Sequence, residues 1–497
     1  MMSRAVSMLS TFALLICLVA HARTTLAQTV SPDVAPFVAI NQPALVLAHV
    51  RVVDGTGAPA RDDQSVVITN GRIAAVGPAA STFGPAGAKT LDYAGYTVIP
   101  GLVGMHNHLY YTASASVQRS ADGRVGEPGF FVNEIPYSGP RLYLAAGVTT
   151  MRTTGSLEPY TDLKVKQRIE AGMMPGPHID ATAPYLEGKG SPFSQMHELD
   201  GPEDARRLVD YWTAEGMTSF KAYMNITRDE LFAAIAQAHK HGLKLTGHLC
   251  SVTWPEAIAA GIDDFEHGPV FTDTEFIVDR KPDVCGSSKA RSESWENVAI
   301  DSPRIKALIA DLVAHRVAVT STLPVFELAV MGRPPIQRRV LEAMSSGARD
   351  SYLTARAAAS SVGSTVALPE ATLKKEMEFE HAFAKAGGLL LAGPDPTGSG
   401  GVLPGFGDQR EIELLVEAGF TPVEAIQVAT QNGARFLGQE GEIGTLAPGR
   451  RADVVLIKGD PAKNIADIEN VEIVFKDGVG YDSAKLIASV RGQVGIR

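Results

Sequence analysis

Between residues 102 and 395 the chain repeats one alternation eight times: a short apolar strand segment, then a stretch with helical spacing. The strand segments are LVGMHNH (102–108), VTTMRTT (148–154), HIDATAP (178–184), TSFKAYM (218–224), LKLTGHL (243–249), DDFEHG (263–268), VAVTSTL (317–323) and GLLLAGPD (388–395). Helical patterns follow them, as at 228–241, 411–419 and 422–437, with Thr421 placed to cap the last. Strands that alternate with helices run parallel, because each helix carries the chain back across the sheet. Eight such units predict an α/β fold, a (β/α)8 TIM barrel over 101–440. The pattern alone leaves a doubly wound sheet open.

Both flanks read differently. ALVLAHVRVVDG, QSVVITNGRIAAVG and AKTLDYAGYTVIPG before the alternation, and RADVVLIKGD and VEIVFKDGVGYD after it, are strand–turn pieces. Asn70-Gly71 is a strong hairpin signal. Segments 36–100 and 441–490 are therefore expected to build one small composite β-sandwich domain from both chain ends.

The first residues are an address. Arg4 precedes the apolar run FALLICLVA (12–20), and Ala20-His21-Ala22 fits the small-x-small cleavage rule. Residues 1–27 read as a signal peptide, so the mature protein is expected to be secreted or periplasmic. The run is shorter than the roughly 20 apolar residues of a membrane span, and no second run of that length follows, so no stable membrane anchor is expected. Three cysteines are too few for a thiolate metal cluster, so any metal must be held by histidine and carboxylate. Cys250 and Cys285 survive cleavage; a disulfide and two free thiols are both open readings. An excess of 55 Asp+Glu over 45 Lys+Arg argues against a nucleic-acid partner and leaves a small-molecule substrate. Self-association into a homo-oligomer is left open.

In a barrel of this kind the C-terminal strand ends converge on one mouth. His106 and His108 close the first strand, and residues two apart on a strand share a face, so two imidazoles can grip one ion. His239 and His241 have the same spacing on a helix, where two steps turn a side chain by roughly 200° and separate the rings. Strand 4 ends near Lys221, strand 5 near His248, strand 6 near His267 and strand 8 near Asp395. An ammonium cannot ligate a metal, but a lysine whose pKa falls can react with carbon dioxide and become a bridging carbamate. The ordinary alternative is a core lysine paired with Asp395 or another acid. Tyr223 shares the face of Lys221 and is a substrate candidate, as are Arg152 and His315. The segments 109–140, 185–203 and 269–300 are long, lie after strands 1, 3 and 6, and are expected to set the substrate. Phe130, Phe131 and Tyr137 suggest an apolar wall there. Gly398-Ser399-Gly400-Gly401 lacks the spacing of a phosphate loop and reads as a loop beside Asp395.

These residues carry a resemblance. Ile99-Pro100-Gly101-Leu102-Val103 before His106-x-His108 resembles the first-strand signature of the amidohydrolase superfamily, in the metal-dependent branch of imidazolonepropionase-like enzymes and Xaa-Pro dipeptidases. Glu266-His267-Gly268 and Gly393-Pro394-Asp395 resemble its strand-6 and strand-8 motifs. Thr421-Pro422-x-Glu424-Ala425 through Ala429-Thr430-x-Asn432-x-Ala434, then Gly444 and Gly449-x-x-Ala452-Asp453, resemble its closing helices and returning sheet. The resemblance implies a barrel with a composite β-sandwich and a centre of two divalent metal ions, zinc being expected. His106, His108 and Asp395 would hold one ion and His248 and His267 the other, with a CO2-derived carbamate on Lys221 between them. Two departures stand out: Thr153 follows Arg152 where an aspartate is frequent, and Pro394 replaces a threonine. The implied activity is hydrolysis of an amide, in an N-acyl amino acid or dipeptide-like substrate, with Asp395 moving the proton. A cyclic amide, lactone or ester hydrolase on the same centre is the alternative, and a non-catalytic binding protein a more distant one.

Overall fold

The structure is a computed structural model that describes residues 28–112, 132–191, 193–361, 364, 367–397 and 400–496. The leader 1–27, Phe130, Phe131, Gly398 and Ser399 lie outside them.

A helix lies in each of the seven intervals between the eight strands, as the pattern predicts, and the interval between strands 5 and 6 holds the short helix Trp254–Ala260. We label the strands β1 (Leu102–Gly104), β2 (Val148–Arg152), β3 (His178–Asp180), β4 (Ser219–Ala222), β5 (Lys244–Gly247), β6 (Asp264–Glu266), β7 (Ala318–Ser321) and β8 (Leu390–Ala392). They form a three-stranded sheet, β3-β2-β1, and a five-stranded sheet, β4 to β8 in order, with every pair parallel. Backbone hydrogen bonds join the sheets at both seams. Ala183 N donates to Ser219 O and Thr218 N to Ala181 O between β3 and β4. Met105 N donates to Ala392 O and Asp395 N to His106 O between β8 and β1. The second seam depends on Gly393, where an added Cβ would fall 2.2 Å from His106 N. The eight strands thus close into a ring in chain order, and their buried apolar residues, with those of the surrounding helices, make the largest core cluster.

Helix starts follow local chemistry. Thr227, Thr253 and Thr421 each accept a bond from a backbone N–H three residues on and carry a glutamate there that bonds back. The long connections go beyond those the sequence suggests. Among the described residues four helices lie between β7 and β8, Leu323–Glu327, Arg338–Ala343, Ser346–Ala359 and Glu370–Lys385, where a single crossover helix would suffice.

Strands from the two chain ends pair in a single sheet of nine strands. The strand Ala44–Val52 forks: its first half lies between 61–69 and 89–92, and its second half pairs with Tyr96–Pro100. At the far end the Asn70-Gly71 turn returns to the other chain end. Arg72 bridges Arg451, and Ala452 N donates to Gly71 O. Leu45, Leu47, Val66, Ile68, Val454, Leu456 and Phe475 alternate inward to form its core. Cys250 and Cys285 are joined in a disulfide. Among the described residues no helix is long and apolar enough to cross a membrane.

Candidate metal centre

Six polar side chains meet at the C-terminal ends of the strands. His106 and His108 follow β1, Lys221 is in β4, His248 follows β5, His267 follows β6 and Asp395 follows β8. His267 and Asp395 have φ of 68° and 50°, so the chain turns sharply as each strand ends. Such left-handed geometry costs a non-glycine residue on the order of 1–3 kcal/mol and is concentrated at functional sites.

The ring nitrogens are sorted. His106 Nδ1 lies 2.8 Å from Glu266 Oε2, His108 Nδ1 is 3.3 Å from the Gly155 carbonyl, and His267 Nδ1 is 2.6 Å from Thr322 Oγ1. That leaves three Nε2 atoms facing Asp395, at 3.6, 3.3 and 3.8 Å from its carboxylate oxygens. His248 Nδ1 lies 3.0 Å from His267 Nε2, and Lys221 Nζ lies 3.3 Å from His106 Nε2. His106, His267 and Asp395 each offer a ligand atom within 4.8 Å of the others.

Burial, reinforced by the Lys221 charge, holds His106 at about 4 and His248 at about 3. Burial likewise lowers His108 and His267. All four are neutral at pH 7, the form that ligates a metal. Burial would raise Asp395, but the hydrogen bond with His108 and the charge that His106 and His108 carry when protonated hold it well below the ordinary carboxylate value. Lys221, 1% exposed, is lowered by burial to about 8, against the pull of Glu266 and Asp395. Neutral imidazoles with oriented Nε2 atoms, an ionised carboxylate and a lysine with accessible free-base form suit a divalent ion.

Arg152 is not at the substrate side. It is fully buried beneath the histidines, where Nη2 donates to Asp264 Oδ2 at 3.2 Å and to Glu266 Oε1, and Nε donates to the Met105 carbonyl at 3.0 Å. Burial alone would raise Glu266; Arg152 and His106 hold it below the ordinary carboxylate range. Arg152 therefore fixes Glu266, which fixes the His106 ring. His315 is also elsewhere, at the exposed end of the helix Pro303–His315, paired with Asp311. Tyr137 packs under Arg141 in the helix cluster away from these residues. Tyr223 lies beside the cluster, its ring 4.9 Å from that of His248. His239 and His241 bind different acids, Asp263 and Asp210, as their helical spacing requires. A second group, His178, Asp453 and Asp477, lies at the start of β3, the opposite end, and is already engaged by Lys476 and Arg451.

Several supports carry no sequence signal of their own. Asn107, between the two histidines, points the other way and donates to Asp408 Oδ1 at 2.9 Å. Tyr143 clamps the His108 backbone, accepting from its N–H and donating to its carbonyl. Thr397 Oγ1 donates to Asp395 Oδ1 at 2.8 Å, so a hydroxyl reaches the carboxylate even though Pro394 replaces the usual threonine. Thr153 Oγ1 accepts from Thr182 N and ties β2 to the segment after β3.

A ring of parallel strands with a histidine–carboxylate cluster at one mouth defines a barrel equipped to hold a metal ion. The sequence profile of the amidohydrolase family matches residues 97–480, and the chain belongs to that family. It is similar to a dihydroorotase of Pelotomaculum thermopropionicum, at 23% identity over 80% of this chain and 85% of that protein. Among solved structures it resembles a bottromycin amidohydrolase, with a TM-score of 0.66, 22% identity and 94% of both chains covered. It also resembles a Xaa-Pro dipeptidase with bound methionine in the active site, with a TM-score of 0.61 and 18% identity over 88% of this chain and all of that one. These neighbours have the fold of a TIM barrel with an extra domain, and the protein is a hydrolase of carbon–nitrogen bonds.

Proposed function

We propose that the protein is a secreted, binuclear metal-dependent amidohydrolase acting on an N-acyl amino acid or a dipeptide-like substrate. The observation that carries this reading is the convergence of four neutral imidazoles, Lys221 and an ionised Asp395 at one mouth. His106, His108 and Asp395 would hold one ion and His248 and His267 the other. When bound, the ions, which we take to be zinc, polarise the scissile carbonyl and make water nucleophilic at neutral pH.

The chain's own residues do the rest. At a pKa of about 8 the Lys221 amine is partly unprotonated at pH 7. It adds to carbon dioxide, releases a proton and becomes an anionic carbamate that completes the ligand set. Asp395 takes the proton of the attacking water on a carboxylate oxygen and delivers it to the leaving nitrogen. Thr397 orients that carboxylate through Oδ1. Export rests on the leader 1–27, and the Cys250–Cys285 disulfide suits an oxidising compartment. N-terminal sequencing of the exported protein should find a start between residues 23 and 28; an intact leader would contradict export.

The test is a panel of N-acyl amino acids and dipeptides, assayed with the metal-loaded protein and after chelation. Hydrolysis that disappears on chelation and returns with metal supports the reading. Hydrolysis unaffected by chelation contradicts it.

A further inference from the structure

We infer that the substrate carries an aromatic or bulky apolar group beside the scissile amide, seated against the side of the mouth built from β1, β3 and β4. This rests on the amide-hydrolase reading above. An aromatic chain runs around the Lys221 amine. The Tyr110 ring stacks on His108 at 4.4 Å, and Tyr185 meets Tyr223 edge-on at 4.9 Å. Phe193 reaches Tyr223 at 6.3 Å, and Tyr223 reaches His248 at 4.9 Å. Lys221 Nζ lies 5.3 Å and 5.8 Å from the centres of the Tyr185 and Tyr223 rings.

The chemistry of this wall is apolar. Tyr110 and Tyr185 are buried behind the rim with their hydroxyls bonded to each other, and Tyr110 lies stacked on His108. Val132 and Leu157 back the wall, and Phe193, Met196 and Tyr223 are only half-buried, leaving apolar surface at the rim.

That rim is held in place. Phe193 N donates to Ser191 Oγ at 3.1 Å, and Gln195 accepts from Val132 N and donates to Val132 O. Glu187 Oε1 accepts from Gly188 N and Asn225 N, tying the connection after β3 to the one after β4. A pre-formed apolar wall next to a metal centre selects for apolar area on its ligand.

The experiment has two arms on the full-length mature protein loaded with metal. Calorimetry with 3-phenylpropionate and propionate is expected to give roughly tenfold or greater preference for the aromatic acid, as the buried area of a ring implies. Phe193→Ala should cut that preference to about threefold or less. In the second arm kcat/KM for N-acetyl-phenylalanine should exceed that for N-acetyl-alanine, N-acetyl-lysine and N-acetyl-aspartate by roughly 30-fold. Met196→Ala provides a second variant that reads the same wall. Equal affinity for the two acids, or a preference untouched by both variants, overturns the apolar pocket. Tight phenylpropionate binding without hydrolysis of any N-acetyl compound or dipeptide leaves the pocket standing and overturns the amide-hydrolase reading.

Discussion

Replacing Arg152 by methionine separates the two roles that position can have. The guanidinium is 1% exposed and faces two carboxylates, Asp264 and Glu266, that are both fully buried. Methionine keeps most of the volume but leaves both acids without their cation. Breaking a buried ion pair by removing one partner costs about 3–5 kcal/mol. The sign with pH follows from Glu266, which Arg152 keeps below its ordinary value. Its contribution is present above the unfolded value of 4.5 and is lost as the pH falls through the depressed folded value. In Arg152→Met burial instead raises Glu266, as burial and the Glu266 charge already raise Asp264, so the stability gap to wild type is widest at neutral pH and narrows toward pH 4.5.

The same change loosens His106. Its Nδ1 contact with Glu266 is what directs Nε2 at the metal position, and loss of such a support lowers metal affinity by about 10–100-fold. Urea unfolding at pH 7 and pH 4.5 reads the first effect, and competition with a chromogenic chelator reads the second. A variant that unfolds within about 1 kcal/mol of wild type, binds metal normally and shows only a raised KM would refute this reasoning and return Arg152 to the substrate.

Three further perturbations have defined outcomes. Metal-depleted protein should lose stability as the pH falls from about 6.5 to about 4, because the unfolded histidines take up protons first; for His106 alone the loss is about 3 kcal/mol. A urea series on apoprotein that stays flat over that range contradicts the buried, neutral imidazoles. Cys250→Ser with Cys285→Ser opens a link between residues 35 apart and should cost about 2–4 kcal/mol in denaturant unfolding; thiol alkylation of the unreduced native protein should label neither cysteine. His315→Ala removes an exposed pair with Asp311 and should change stability by less than about 0.5 kcal/mol and kcat/KM not measurably; a tenfold loss of activity would place His315 in the site after all.

The order of the strands and the residues at their ends are legible because each is local. A strand of four residues and the histidine that follows it are written consecutively, and the mouth collects them without further information. The pairing of Arg152 with Asp264 and Glu266 is not local. It joins β2 to β6 across the ring interior, and a buried arginine reads in sequence like a surface one. His315 shows the opposite error. It lies near a strand in sequence, but it ends the helix before β7 and so sits at the wrong end of that strand. Tyr110 could have been found, since it is two residues beyond His108 and stacks on it. Tyr185 and Phe193 could not, because the connection after β3 has no periodicity that tells which side chains turn toward the metal centre. The composite domain was readable as strands from both ends. Their joining into one sheet depends on the fork of Ala44–Val52, which no alternation of side chains announces.

In the proposed mechanism four histidines, Asp395 and a modified Lys221 hold two ions that the hydrolysis needs. The mechanism is tested most directly by measuring metal content per chain, together with amide hydrolysis, in wild type and in Lys221→Ala prepared side by side. The account predicts two divalent ions per wild-type chain, with metal content reduced and activity lowered at least about 100-fold in the variant. Lys221→Ala that retains full activity, or wild type that hydrolyses amides with no ion bound, would contradict it.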